Sequence, residues 1–289
     1  MRDREKAFIS ALKQSGATFG IGDDGVPIGT YIIANDAFFE DIHFKIAWAD
    51  LESLVEKCFL VNLSDIYAMN AIPRFLLLSL CIPSHFKEVS KLAAIIGANA
   101  KRHNLKIIGG DTLVGEKLHF SLTILGERGR KTLFRSGIKK GDVLGYITTK
   151  GVLNHSKMQS FGQNLKHLRN YLRFYSDKKI PKYSRFAKPL LYPQMLFALN
   201  KIARAGMDIS DGISMELSRL SAINRLDFKL FKRSGAWFYS PEEYQMLYAV
   251  ERRNLKKMQN MALRFRHQFV PFALAIRGQY RAKTKNWHH

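Results

Sequence analysis

Aspartate is concentrated at the ends of apolar runs. Eight of the 13 aspartates fall in six short clusters: Asp23 and Asp24 in GIGDDG, Asp36 in IIAND, Asp41 in FFEDIHF, Asp65 in VNLSD, Asp111 in IIGGD, and Asp208 and Asp211 in MDISDG. Carboxylates gathered from distant segments repel one another unless a cation lies between them. Hard divalent ions such as magnesium are held by such oxygens, which leave coordination positions open for substrate phosphates. A single aspartate at a turn or helix start is as readily a turn former or N-cap. Six clusters in one chain point to metal-assisted chemistry on a phosphate.

The stretch Gly20-Ile21-Gly22-Asp23-Asp24-Gly25 also satisfies the G-x-G-x-x-G spacing of a dinucleotide-binding turn, with Glu40 and Asp41 near the place of a ribose-binding acid. That turn must follow a strand and open a helix, whose N-terminus receives the pyrophosphate. Here the helix-like REKAFISALKQ comes before it, and Val26-Pro27-Ile28-Gly29 leads into a strand-like run. Asp23 and Asp24 would face the pyrophosphate with like charge. The spacing is therefore coincidental. The chain also lacks the Gly-Lys pair from which a P-loop is built.

The elements that must position these acids can be read from periodicity. REKAFISALKQ reads as a helix ending at Gly16, and TYIIAND as a strand running into acidic residues. DLESLVEKCFLVNLSDIYAMNA reads as a long helix stopped before Pro73, RFLLLSLCIP as a buried strand, and KEVSKLAAIIGANAKRHN as a helix. KIIGGD reads as a short strand turning at its two glycines, and LHFSLTILGE as a strand. The glycine and charge cluster GERGRKTLFRSGIKKGD marks the domain junction, followed by the strand VLGYITT. Beyond it, helices around PQMLFALNKIARA and GISMELSRLSAIN flank the second acidic turn, MDISDG. Mixed helices and strands give an α+β or α/β class.

Composition sets the outer limits. A chain of 289 residues, 46% hydrophobic, can bury a substantial core and hold two domains. No apolar run reaches membrane-spanning length, and the polar start MRDREKAF is unlike a secretory signal, so a cytoplasmic protein without a membrane partner is expected. Cys58 and Cys81 lie in apolar stretches without metal-ligand spacing and read as buried thiols. The net charge of +22 is uneven, +4 over residues 1–150 and +18 over residues 151–289. A basic half could serve nucleic acid, an anionic small substrate, or nothing beyond solvation. No zinc-finger or RNA-binding signature supports the first, and no nucleic-acid partner is expected.

One combination is more specific. GDD, then D-x-x-x-E-D-x-H-F, then VNLSDIYAMNAIP, then GGDT run in order from Ile21 to about Leu125. RSGIKKGD, MDISDGISMELSRL, EEYQMLYAV and the final NWHH follow. This series resembles the thiamine-monophosphate kinases of the aminoimidazole-ribonucleotide synthetase superfamily. The resemblance implies an α+β fold of two domains, with ATP and several magnesium ions between them. Residues 1–130 would form an N-terminal sheet domain that binds ATP and metal and pairs in a homodimer, and residues 131–289 an α+β domain completing the active site.

Position by position, the resemblance implies metal binding by Asp23, Asp36, Asp65, Asp111, Asp208 and Asp211, with Asn35 offering a carbonyl oxygen. It implies nucleotide contacts at Gly110, Asp111, Arg135 and Ser210, and contacts to thiamine monophosphate at His43, Glu242 and Trp287. Trp287, with Tyr244, could offer an aromatic face to the thiazolium cation. The expected reaction moves the γ-phosphoryl of ATP directly and in line onto the phosphate of thiamine monophosphate. That acceptor has a second pKa of about 6 and needs no general base at neutral pH, so no catalytic base is assigned. The alternatives are another ATP-dependent phosphoryl-transfer enzyme of the same superfamily and a basic nucleic-acid-binding protein.

The chain also departs from the family pattern. Ala34 and Asn35 stand where hydroxyl residues are usual, Ser240-Pro241-Glu242-Glu243-Tyr244 replaces Gly-Gly-Glu-Asp-Tyr, and KGVLNHS replaces a glycine-rich turn after YITT.

Overall fold

The protein is described here by a computed structural model that covers residues 4–149, 162, 164, 180, 184–231 and 234–282. The first half begins with helix α1 (Arg4–Gln14), then strands β1 (Val26–Ile28) and β2 (Tyr31–Phe39). Alternation along β2 turns Ile32, Ala34 and Phe38 inward, and Asp36 shares their parity. Helix α2 (Leu51–Ala68) starts at Asp50, whose carboxylate accepts the Ser53 N–H at 2.9 Å, as an N-cap should. It ends before Asn70, which adopts a left-handed φ of 61°. Pro73 does not stop the helix; it already lies inside strand β3 (Ala71–Pro83), at a register slip against the neighbouring strand. A residue without an N–H is tolerated at such an irregularity.

Helix α3 (Val89–Arg102) crosses over to strand β4 (Lys106–Gly115), which runs parallel to β3, and strand β5 (His119–Arg128) completes a sheet ordered β1-β2-β5-β3-β4. The glycines of KIIGGD, expected at a turn, instead sit inside the ten-residue β4. Their role is close approach: a Cβ on Gly110, at φ +146°, would lie 1.8 Å from the Leu78 carbonyl oxygen. One face of the sheet is covered by α2. The other face and the edge strand β4 are exposed, with Leu77, Ile107, Ile108, Leu113 and Val114 all open to solvent.

The second half is built on strands β6 (Val143–Thr149), β7 (Ala205–Asp208), β8 (Leu226–Leu230), β9 (Met246–Val250) and β10 (His267–Arg277). They form an antiparallel sheet ordered β7-β9-β6-β10-β8. Helices α4 (Pro193–Asn200), α5 (Ile213–Asn224) and α6 (Leu255–Arg264) pack around it. The fold is α+β, with two five-stranded sheets.

The halves meet on α2. Thirteen of its 18 residues are buried, Lys57, Asn62 and Ser64 among them, as in a helix covered on more than one side. Leu63, Ile66 and Tyr67 belong to the same buried cluster as Leu199, Met246 and Tyr248 of the second half. Asn200 clasps the contact: its amide nitrogen donates to the Tyr67 carbonyl at 2.9 Å, and its oxygen accepts the Tyr248 hydroxyl at 2.7 Å.

The close approach at Gly110 makes a prediction. Gly110→Ala combines a disfavoured φ with a backbone clash, so unfolding in urea should show a loss of more than about 1 kcal/mol. A variant as stable as the native chain would refute this account of the β3–β4 pairing.

Candidate active site

At the seam between the halves, three carboxylates converge from three separate segments. Asp24 comes from the turn before β1, Asp65 from the last turns of α2, and Asp208 from the end of β7. One oxygen of each lies within 4.8 Å of those of the other two. Asp36 joins them from β2, its carboxyl near enough to that of Asp65 to influence its protonation. The local structure explains the convergence. Asp36 shares the inward parity of β2, and its backbone N–H is received by the Asn62 side chain of α2 at 3.1 Å. Ser64, next to Asp65, donates its hydroxyl to Asp208 at 2.9 Å.

The electrostatic cost is visible in the titration behaviour. Burial, aided by the neighbouring acids, pushes the Asp24 carboxyl to about 6 and the Asp36 carboxyl to about 7. Burial also pushes Asp65 and Asp208 well above the usual carboxylate range, again with their acidic neighbours adding to it. Among the described residues, one cation answers them. Arg135 donates from Nε to Asp24 at 2.9 Å and from Nη2 to the same oxygen, while its backbone N–H reaches Asp23 at 2.6 Å. Burial disfavours the Arg135 charge, but Asp24, Glu216 and Asp208 outweigh that and hold it protonated.

The donor set suits magnesium. All the converging atoms are hard carboxylate oxygens, and Asp24 Oδ2 and Asp211 Oδ1 are buried without a hydrogen-bond partner among the described residues. A divalent ion would satisfy such oxygens and replace the protons that the crowded acids otherwise hold.

Not every residue picked out from sequence lies in this cluster. Of the GDD pair, Asp24 faces the other carboxylates, whereas Asp23 is tied to the Arg135 backbone. Asp211 lies at the next turn, bonded to Arg219, and its N–H donates to the buried Glu216 at 2.9 Å. Ser210 donates to the same Glu216 at 3.3 Å. Asn35 has the opposite parity to Asp36, and its amide donates to Ser121, Leu122 and Thr123 on the outer face of the sheet. Asp111 lies exposed on β4, opposite Ser79, which pairs with Ser121, which pairs with Ala37. That row puts it three strand spacings, about 14 Å, from the neighbourhood of Asp36. Gly110 occupies the adjacent row of the same strand.

The residues picked out for the acceptor lie beyond the acids. His43 accepts the Phe39 N–H on Nδ1 at 2.9 Å and stacks on Phe38 with ring centroids 5.8 Å apart. Glu242 is buried and bonded to Lys57 at 2.6 Å. Tyr244 is buried, and that burial, with Glu242, Asp36, Asp208 and Asp211 adding to it, pushes its phenol well above the ordinary value. Trp287 and the segment KGVLNHS fall outside the described residues. The sequence reading missed Glu216 and Arg219, whose i,i+3 spacing in SMELSRL was a faint signal, and Lys57, whose partner is 185 residues away.

Comparison with known proteins adds to this geometry. Residues 22–127 match the family model for the AIR synthase related protein, N-terminal domain. A thiamine-monophosphate kinase of Buchnera aphidicola subsp. Schizaphis graminum is 30% identical over 274 residues, covering 85% of this chain and 80% of that protein. A thiamine-monophosphate kinase of Bacillus subtilis is 36% identical over 143 residues, covering 46% of this chain and 44% of that protein. The solved structure of AaThiL complexed with AMPPCP and TMP superposes with a TM-score of 0.78 at 20% identity, covering 99% of this chain and 98% of that one. At that identity the likeness shows the fold.

The raised carboxyl groups link stability to pH. Without divalent ions the folded chain holds protons that the unfolded chain has released above about pH 4. Stability from Asp24 and Asp36 is therefore fully present below that pH and is lost as pH rises through about 6 and about 7. In chelator the Tm should fall across this window, and less steeply in Asp36→Asn. Magnesium should raise the Tm more on the alkaline side than on the acid side. A metal-free Tm that rises through the window, or one that Asp36→Asn leaves equally steep, would contradict the reading.

Proposed function

The chain belongs to the thiamine-monophosphate kinases, and on that premise we propose that it transfers the γ-phosphoryl group of ATP to thiamine monophosphate, giving thiamine diphosphate and ADP. The observation that carries the proposal is the convergence of Asp24, Asp65 and Asp208 from three distant segments on one point. Such crowding has little structural value without a cation, and a phosphate-transfer site needs one.

Asp24, Asp36, Asp65 and Asp208 would hold magnesium, with Asp23 and Asp211 flanking them, and the metal would supply charge neutralisation and alignment of the donor phosphates. The remaining work belongs to the protein. Arg135, anchored through Asp24 and the Gly22 carbonyl, is proposed as a partner for a donor phosphate. Ser210 and the β4 backbone around Gly110 and Asp111 are the proposed nucleotide contacts. His43, Glu242 and Trp287 are proposed to bind the acceptor. The acceptor phosphate is largely ionised at neutral pH, so direct in-line transfer requires positioning and electrostatics, not a base or a phosphoenzyme.

The proposed domains are residues 1–130 and 131–289, the boundary falling between β5 and β6 where one sheet ends and the other begins. A homodimer is proposed through the outer face and edge of the first sheet. Its exposed Leu77, Ile107, Ile108, Leu113 and Val114 form the kind of apolar patch and unpaired strand edge that monomers seldom leave open. Among the described residues no helix is long and apolar enough to cross a membrane. A cytoplasmic setting is proposed, consistent with the two unpaired thiols Cys58 and Cys81.

The purified chain with ATP, magnesium and thiamine monophosphate should form thiamine diphosphate, and Asp65→Ala should lower the rate by roughly two orders of magnitude or more. Absence of product despite magnesium-dependent ATP binding would overturn the acceptor assignment. Sedimentation should show a dimer, converted to monomer by Leu113→Lys with Val114→Lys; a native monomer would refute the pairing.

A further inference from the structure

Glu216 and Arg219 lie one turn apart on α5, the helix that follows the acidic turn, and neither has an assigned role. Glu216 is fully buried. Its Oε1 accepts the Asp211 N–H at 2.9 Å and the Ser210 hydroxyl at 3.3 Å, and its Oε2 accepts Arg219 Nη1 at 2.6 Å. The other arm of the same guanidinium, Nη2, donates to Asp211 Oδ2. One arginine thus bridges two carboxylates, one from the turn and one from the helix. Burial disfavours its charge, but Glu216 and Asp211 outweigh that and hold it protonated. The charge of Glu216 adds to burial in raising the Asp24 and Asp208 carboxyls, so the bridge stands at the edge of the acid cluster.

Helix capping alone does not account for this arrangement. A carboxylate near the start of a helix that reaches back to a free backbone N–H is an ordinary cap, and Glu216 does that for Asp211 without help. Arg219 adds no bond to the backbone among the described residues, since both its bonds go to side chains. The backbone of the turn is held elsewhere: the Ile209 carbonyl accepts the Tyr244 N–H at 2.8 Å, and the Ser210 carbonyl accepts the Glu242 N–H at 2.6 Å. What Arg219 fixes is the carboxyl of Asp211. That residue is 7% exposed, with Oδ2 taken and Oδ1 buried without a hydrogen-bond partner among the described residues. Arg135, the other cation at the seam, donates instead to Asp24 and the Gly22 carbonyl.

We propose that Arg219 is a positioning residue for the magnesium site: its guanidinium fork holds Asp211 Oδ2 beside Glu216 and leaves Oδ1 as the oxygen that meets the ion. This rests on the metal site of the kinase reading, in which Asp211 flanks the ion. A carboxylate free to turn about its last bond presents either oxygen, and tying one down removes that freedom before the ion arrives. A planar fork suits two carboxylates at once, because its arms keep a fixed angle. An ammonium in the same place would supply the charge without the bridge. Charge alone and positioning predict opposite effects of removing the arginine. A cation beside a metal site repels the ion, so loss of charge alone would tighten magnesium binding. Loss of the group that orients a ligand weakens it.

The test is calorimetric titration of the full chain with magnesium alone. Arg219→Met and Arg219→Lys should each raise the magnesium Kd about tenfold. In the Asp211→Asn background, where no carboxylate is left to position, Arg219→Lys should add less than about twofold. Should Arg219→Met fail to fold, Arg219→Lys keeps a cation beside the buried Glu216 and carries the test by itself. A magnesium Kd unchanged or tightened in the variants, a native Kd restored by lysine, or a loss that recurs in full in the Asp211→Asn background would overturn the inference. Thiamine diphosphate formation, followed with the same proteins, tests the kinase reading separately. A native chain whose magnesium affinity depends on Arg219 in this way but which forms no thiamine diphosphate would overturn that reading and bear out the positioning role. A native chain that binds no magnesium would overturn both.

Discussion

Mutual repulsion among buried carboxylates is the constraint around which this molecule is arranged. Asp24, Asp36, Asp65 and Asp208 approach one another from four segments, and burial pushes all four toward their protonated forms. A fold tolerates such a cluster when rigid elements hold each member in place. Here β2 and α2 are locked together by the Asp36 N–H to Asn62 bond, and α2 is locked to β7 by Ser64 and Asp208. Arg135 partly offsets the charge from the connector between the sheets. The result is a site that exists only because the halves are docked, since neither contains all four acids.

The same docking orders the proposed acceptor side. Glu242 and Glu243 are consecutive, buried acids, and each has a cation from a different segment: Lys57 from α2 and Arg185 from the segment before α4. Around them the loop is fixed by Ser240, which donates to Glu243 at 2.7 Å, and by Asn164. Gly212 allows the acidic turn to pass beneath: at φ +91°, a Cβ there would lie 3.0 Å from the Tyr239 carbonyl carbon. An acid cluster only partly offset by Arg135 and a pair of glutamates each matched by a cation are thus both buried at the same seam. This division suits a substrate with a phosphate at one end and a heterocycle at the other.

Much of this was legible in the sequence, for identifiable reasons. α2, α3, β2 and β5 carry strong periodicity, and the acid clusters at their ends marked the site region. β9 was missed because MLYAV is buried on both faces and shows no alternation. β4 was shortened because glycines usually signal a turn, whereas Gly109 and Gly110 serve close contact with β3. Choosing between Asp23 and Asp24 required knowing which way the chain faces as it enters β1. Asn35 and Asp36 were taken together because adjacency in sequence hides the pleat, which sends them to opposite faces of the sheet. Lys57 left no local trace at all, because its role depends on a partner in the other half.

Helix α2 supplies Asp65 to the acid cluster and Lys57 to the acceptor side, both from one continuous run of backbone hydrogen bonds. The separation between the two regions is therefore a covalent dimension. Eight residues of α-helix correspond to about 12 Å along its axis, a length that neither domain docking nor loop rearrangement can alter. On the proposed reading a substrate would have to span that ruler to engage both ends, and an insertion or deletion of one residue between them would rotate one end by about 100° away from the other. The helix would then act as the molecule's gauge of substrate length.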